Sequence, residues 1–96
     1  MPVVVLDLPP ENILTAQAPP LDPELLGLFV GTALPDRSFG TGGIDTPPQI
    51  ILFKRNLERF ARDDRELTDE IARTLHHELA HYLGFAEEDM VDLDLD

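Results

Sequence analysis

Between Leu67 and Leu83 the apolar residues Leu67, Ile71, Leu75, Leu79, Tyr82 and Leu83 return every three or four positions. They fall within about 160° of a helical wheel, which predicts an amphipathic helix with that stripe against a sheet. Asp63, followed three residues later by Glu66, has the form of a capping box, and Gly84 can take the left-handed conformation that closes a helix. Upstream the pattern changes. All nine prolines precede residue 49, so the first half is expected to hold short strands and irregular connections, and the second half is free to be helical. Val3-Val4-Val5-Leu6 reads as a strand stopped by Pro9-Pro10, and Glu11 to Ala18 as a helical turn or two before Pro19-Pro20. Leu25 to Thr32 reads as a second strand, in which Gly27 and Gly31 mark places where a side chain is unwelcome or the strand bends. Gln49 to Lys54 reads as a third, introduced by Pro47-Pro48. Between the last two, Pro35 to Gly43 is a loop of a length usually reserved for function or disorder. The fold class is α+β.

A chain of 96 residues is read as one domain, residues 1–96, that removes only about 60–65% of its unfolded surface from water. A bound metal would therefore matter to its stability. Hydrophobic content of 43% with five Phe is ordinary for a globular core. The net charge of −12 changes the picture, because nucleic acids and anionic membrane surfaces both need basic patches. Six of the seven basic residues lie between Lys54 and Arg73, interleaved with acids, in the manner of a solvated helical surface. No nucleic acid or membrane partner is expected. The absence of cysteine excludes disulfides and thiolate metal sites. Met1 to Asp7 carries no basic leader, its apolar run is too short for a signal peptide, and no segment has the run of apolar residues a membrane span needs, so the expected location is cytoplasmic.

The chemistry concentrates in His77-Glu78-Leu79-Ala80-His81, which together with His76 holds every histidine of the chain. On a helix His77 and His81 stack on one face and can present two imidazole nitrogens to one zinc ion. On the wheel they fall outside the apolar stripe, with Thr74 and Glu70 near them, so they are expected to face a cleft. Glu78 lies on the neighbouring flank, placed to act as general base toward a metal-activated water. His76 projects about 100° away and reads as a surface residue. A third ligand requires the chain to break after His81 and fold back, which Gly84 permits. Three residues beyond stands Glu87, giving H-E-x-x-H-x-x-G-x-x-E, with Glu88 and Asp89 as immediate competitors for the role.

On His77, Glu78, His81, Gly84 and Glu87, supported by Leu26-Gly27-Leu28-Phe29-Val30-Gly31 and the pattern from Pro48 to Leu57, the sequence resembles the zincins. It is most similar to the small single-domain bacterial zincin-like metallopeptidases called minimal zincins. The resemblance spans roughly residues 25–90. It implies a small mixed sheet of three to four strands packed against the active-site helix, and a zinc-dependent peptidase with His77, His81 and Glu87 on the metal. Relatives begin with a helix ahead of the first strand, whereas this chain starts almost directly with Val3. One sheet face is therefore expected to lie open, and a second subunit, as in a homodimer, would cover it. Metzincins carry a distant methionine turn; here Met90 directly follows the acidic cluster.

The substrate is expected to be a peptide or protein, basic rather than acidic, adding as a strand to the edge offered by the second or third strand. An oxyanion donor is less evident. Tyr82 sits in the apolar stripe and reads as a core residue, and Arg37 reads as a solvated loop arginine before it reads as a donor to the cleft. That deficit motivates an alternative, a non-catalytic metal- or peptide-binding module on a zincin scaffold. The terminal Val91 to Asp96 alternates apolar and acidic residues and reads as a frayed end before an extra strand.

Overall fold

The computed structural model describes residues 1–37, 45–86 and 88–89. Ile50-Ile51-Leu52-Phe53 is a continuous apolar run, which suits a strand covered on both faces. It forms β3 (Gln49–Phe53), the centre of a three-stranded sheet in the order β1-β3-β2, and all four of these residues are buried. The β-branched run β1 (Val3–Leu6) pairs with it in parallel, Val3 opposite Ile50 and Val5 opposite Leu52. On the other side β2 (Gly27–Val30) pairs antiparallel, Gly27 opposite Leu52 and Phe29 opposite Ile50. The sheet is mixed and the fold α+β, as expected. The third strand, offered above as an edge for substrate, is central and has no free edge; β2 has one.

Between β1 and β2 the helical turn α1 (Glu11–Leu14) is shorter than the stretch to Ala18 that the sequence suggested. The long connection after β2 is closed at its base, where Thr32 donates its N–H to the Thr46 carbonyl at 3.0 Å and its hydroxyl accepts the Thr46 N–H at 2.9 Å. Helix α2 (Lys54–Phe60) follows β3 without a loop, and the sequence had not delimited it. Its buried Asn56 donates through Nδ2 to the carbonyls of Pro23 and Leu25, both at 2.9 Å, and so fixes the chain as it enters β2. A buried side-chain amide satisfied in this way orders a loop that carries little apolar anchorage of its own.

Helix α3 (Asp64–Leu83) has the ends read from the sequence. Asp63 Oδ1 accepts the Glu66 N–H at 2.8 Å. Glu66 does not complete the capping box; its carboxylate accepts from Arg62 Nε at 2.9 Å instead. Gly84 has φ 95°, and the Phe85 N–H returns to the Ala80 carbonyl at 3.0 Å. A Cβ on Gly84 would lie 2.5 Å from Pro35 Cγ, so this glycine both reverses the helix and admits the 3-10 turn Leu34–Asp36 against its end.

The apolar stripe of α3 needs correction. Leu67, Ile71 and Leu75 do pack on the core of Ile50, Leu52 and Leu57, but Leu79 is 42% and Leu83 44% exposed, while Thr74, Glu78 and Ala80 are buried. Four residues turn a helix about 400°, so a strict i+4 series drifts about 40° per step around the helix. Leu75, Leu79 and Leu83 follow that drift off the sheet. A straight line of contact mixes steps of three and four, running Leu67, Ile71, Thr74, Glu78, and it carries polar residues into the interface with β2. Among the described residues no helix is long and apolar enough to cross a membrane.

Candidate metal centre

Gly27 decides how closely the helix meets the strand. A Cβ there would sit 2.5 Å from Thr74 Cγ2 and 3.2 Å from the Ile51 carbonyl oxygen, so α3 rests directly on the β2 backbone at this point. One helical turn later Glu78 reaches the same strand, and its Oε1 accepts the Phe29 N–H at 2.8 Å. The ladder explains why that amide is available. Leu26, whose carbonyl accepts the Phe53 N–H at 3.0 Å, faces β3, so by antiparallel alternation Leu28 and Val30 also face it, while Gly27 and Phe29 turn toward the open edge. A buried carboxylate is costly unless hydrogen-bonded, and an unpaired edge amide is a donor of the kind it requires.

With Oε1 held, Oε2 lies 3.9 Å from His77 Nε2. The imidazoles of His77 and His81, one turn apart, meet edge to face with centroids 4.9 Å apart and planes at 73°. Both are half-buried; His76 is exposed, as its position on the wheel required. One nitrogen or oxygen from each of His77, Glu78 and His81 lies within 4.8 Å of the others. A tetrahedral zinc ion with bonds of about 2.0–2.1 Å holds its ligand atoms about 3.4 Å apart. The spacing here is within small side-chain rotations of that, so the two imidazoles fit two positions on the ion, with the Glu78 carboxylate beside them within reach of a group at a further position. A cavity of about 280 Å³ opens on His77 and Glu78, in line with the cleft expected beside the imidazoles.

The other predicted residues fare differently. Glu87 lies outside the described residues, as do Met90 and the alternating segment 91–96. Of the competitors for the third ligand, Glu88 is exposed. Asp89 closes a turn, donating its N–H to the Ala86 carbonyl and accepting the Ala86 N–H on Oδ2, each at 3.0 Å. Tyr82 packs on Phe29, ring centroids 5.7 Å apart, in keeping with its reading as a core residue. Arg37 is not a solvated loop arginine. It ends the 3-10 turn that rests on α3, is half-buried, and its Nη1 is buried with no hydrogen-bond partner among the described residues. The Phe29 amide is a part of the site that the residue types do not announce, whereas Thr74, expected beside the imidazoles, is buried against the strand. The signal that could have found the amide was Gly27, a small residue in an otherwise apolar strand, which marks a close approach of something to that strand.

The family model of zincin-like metallopeptidases matches residues 1–96, the whole chain. Among curated proteins none is similar enough to count as a match.

Proposed function

The chain belongs to the zincin-like metallopeptidase family, and from that premise we propose that it is a zinc-dependent peptidase in which His77, His81 and Glu87 hold the ion and Glu78 is the general base. The observation that carries this reading is the fixed carboxylate of Glu78. It is buried, hydrogen-bonded to the sheet edge through Oε1, and turned with Oε2 toward the two imidazoles. Zinc, when bound, supplies a Lewis acid that polarises a carbonyl and makes water a better nucleophile at neutral pH. The protein residues supply the rest. Glu78 Oε2 takes the proton and delivers it to the leaving amine, while the Phe29 N–H keeps the carboxylate aimed and spares Oε1 from an unpartnered burial. The outward carbonyls of Gly27 and Phe29 can pair with an extended peptide added along β2, which would lay its backbone beside Glu78.

The test is cleavage of a peptide mixture by the wild type and by Glu78→Gln, with zinc content measured in both. Loss of the base should lower the rate by about 10²–10⁴-fold at unchanged zinc content; equal rates would sink the mechanism. A second reading is a metal- or peptide-binding module without turnover: the ring of Tyr82 packs on Phe29, which accounts for this residue as a packing residue without a chemical role. Stoichiometric zinc with no cleavage of any peptide in a diverse library would select it.

A further inference from the structure

The cavity of about 280 Å³ that opens on His77 and Glu78 runs away from them along α3 toward the helix N-terminus. Its strand wall is Leu25, Leu26 and the bare backbone of Gly27; its helix wall is Thr74 and, a turn further on, Glu70 with Arg73. Gly27 lets α3 lie directly on the strand at this wall, so any larger residue there would push Thr74 and the helix away. An apolar cavity of about 150 Å³ is enough to take benzene, so this one has room for a long side chain. Its chemistry is uneven: apolar at the sides, with the Glu70 carboxylate at the far end, only 15% exposed. Arg73 meets that carboxylate at 3.9 Å, the outer limit of an ion pair, with its own side chain 56% exposed, so it lies at the rim. A carboxylate has about four lone-pair sites, enough for Arg73 and a second cation.

Resting on the peptidase reading above, we propose that this cavity receives a substrate lysine or arginine side chain next to the bond being cleaved, and that Glu70 is the residue that selects it. Seven residues of helix put Glu70 about 10 Å from His77. An extended lysine spans roughly 6 Å from Cα to Nζ by ordinary bond lengths. A residue whose backbone lies just past the imidazoles, on the Glu70 side, therefore brings its ammonium group to the carboxylate while its methylenes lie along Leu25 and Leu26. The distance also separates the selecting carboxylate from the charge of an ion held by His77 and His81. The chain's net charge of −12 attracts the same substrates at long range, but a carboxylate fixed at one end of the cavity, as Glu70 is, distinguishes one position of the peptide from the next.

The experiment uses one peptide series, with lysine, norleucine or glutamate placed in turn at each position around the scissile bond. Cleavage by the zinc-loaded wild type is measured, and binding to zinc-loaded Glu78→Gln is followed by fluorescence anisotropy. At one position lysine should be favoured over norleucine by roughly tenfold or more, in rate for the wild type and in affinity for Glu78→Gln. Glu70→Gln should reduce that ratio to near one, and Glu70→Lys should shift the preference at that position to glutamate. Discrimination in binding without any cleavage would leave the pocket assignment standing and end the peptidase reading. Cleavage with norleucine equal or superior to lysine at every position, or a lysine preference untouched in Glu70→Gln, would overturn the pocket assignment and leave the peptidase reading intact. Neither cleavage nor binding of any peptide would overturn both.

Discussion

The two outer strands of the sheet have the same length and the same central partner, yet one carries chemistry and the other does not. On the α3 side they continue the same rows across the sheet: Val5, Leu52, Gly27 in one and Val3, Ile50, Phe29 in the next. In β1 the two valines of these rows remain 50% and 59% exposed. In β2 the corresponding positions are a glycine against Thr74 and a phenylalanine against Tyr82. The helix thus sits off-centre, over β2 and β3, and the polar residues on its contact line reach backbone groups that the sheet has left unpaired. A strand edge alone offers hydrogen bonds, and a helix alone offers two stacked imidazoles; the site arises where the two overlap. At β1 the opposing surface is a mostly apolar groove of about 180 Å³ between Val5 and the Leu67 and Ile71 side chains; Lys54 and Glu58 also line it, but it brings no imidazoles together.

The largest expected effect tests whether the division is real. His77→Ala or His81→Ala should lower zinc affinity by more than about 100-fold, beyond what loss of an outer-shell partner costs. Val5→Ala should leave it unchanged. Competition with a chromophoric chelator measures both, and a comparable loss in Val5→Ala would show that β1 shapes the site after all. Next in size is Gly27→Ala. The added methyl group has no room beside Thr74 and Ile51, so the substitution should destabilise the fold by about 1–3 kcal/mol in urea unfolding. Val3→Ala, at the half-exposed row of β1, should cost less than about 1 kcal/mol. Thr74→Ser removes the methyl group that the new Cβ would strike, so the double variant should recover part of the loss. A cycle showing additive losses would place the strain elsewhere.

How much of this was legible beforehand follows from the kind of signal each feature leaves. Helix ends depend on a few adjacent residues, and Asp63 and Gly84 announced them correctly. The His77 and His81 pairing depends only on helix geometry, and so was also readable. The burial of Thr74 and Glu78 was not, because it depends on where α3 crosses the sheet; the i+4 leucines pointed to Leu79 and Leu83, which lie half in solvent. Nor was the central place of β3 assigned, although Ile50 to Phe53, apolar without alternation, is the pattern that a strand buried on both faces leaves. The Phe29 amide could not be read at all from residue types, since a backbone group becomes a functional one only when the ladder leaves it unpaired. The third ligand expected from the sequence, Glu87 with Glu88 and Asp89 as competitors, turns on Glu87, which lies outside the described residues.

A smaller effect is expected at the start of α3, the end that borders β1. Asp63→Ala removes the side chain that accepts the Glu66 N–H and should cost about 1 kcal/mol by fraying the turn that carries Leu67. Leu67 lines the groove beside Val5, some three helical turns before the imidazoles. Zinc affinity should therefore be unaffected. If it falls with the cap, the two ends of the helix are coupled more tightly than their separate packing implies.

The smallest expected effect is also the most sensitive to what happens on the open side of the sheet. Val5→Thr keeps the β-branch and the volume, and replaces one methyl group with a hydroxyl at a position 59% exposed. Where that hydroxyl meets water, the change should stay within about 0.5 kcal/mol. A hydroxyl forced into a dry contact would cost about 1–3 kcal/mol instead. Urea unfolding at low and high protein concentration separates these cases. A small cost at both concentrations means that Val3 and Val5 face solvent and that the asymmetry between the strands is a property of the single chain. A cost that grows with concentration means that a second copy covers β1 when it can, because a partner bound only to the folded state adds stability by mass action, and the hydroxyl would then be buried in that contact. Even in that case β2 would remain the chemical edge, since covering β1 leaves Gly27, Phe29 and Glu78 as they are.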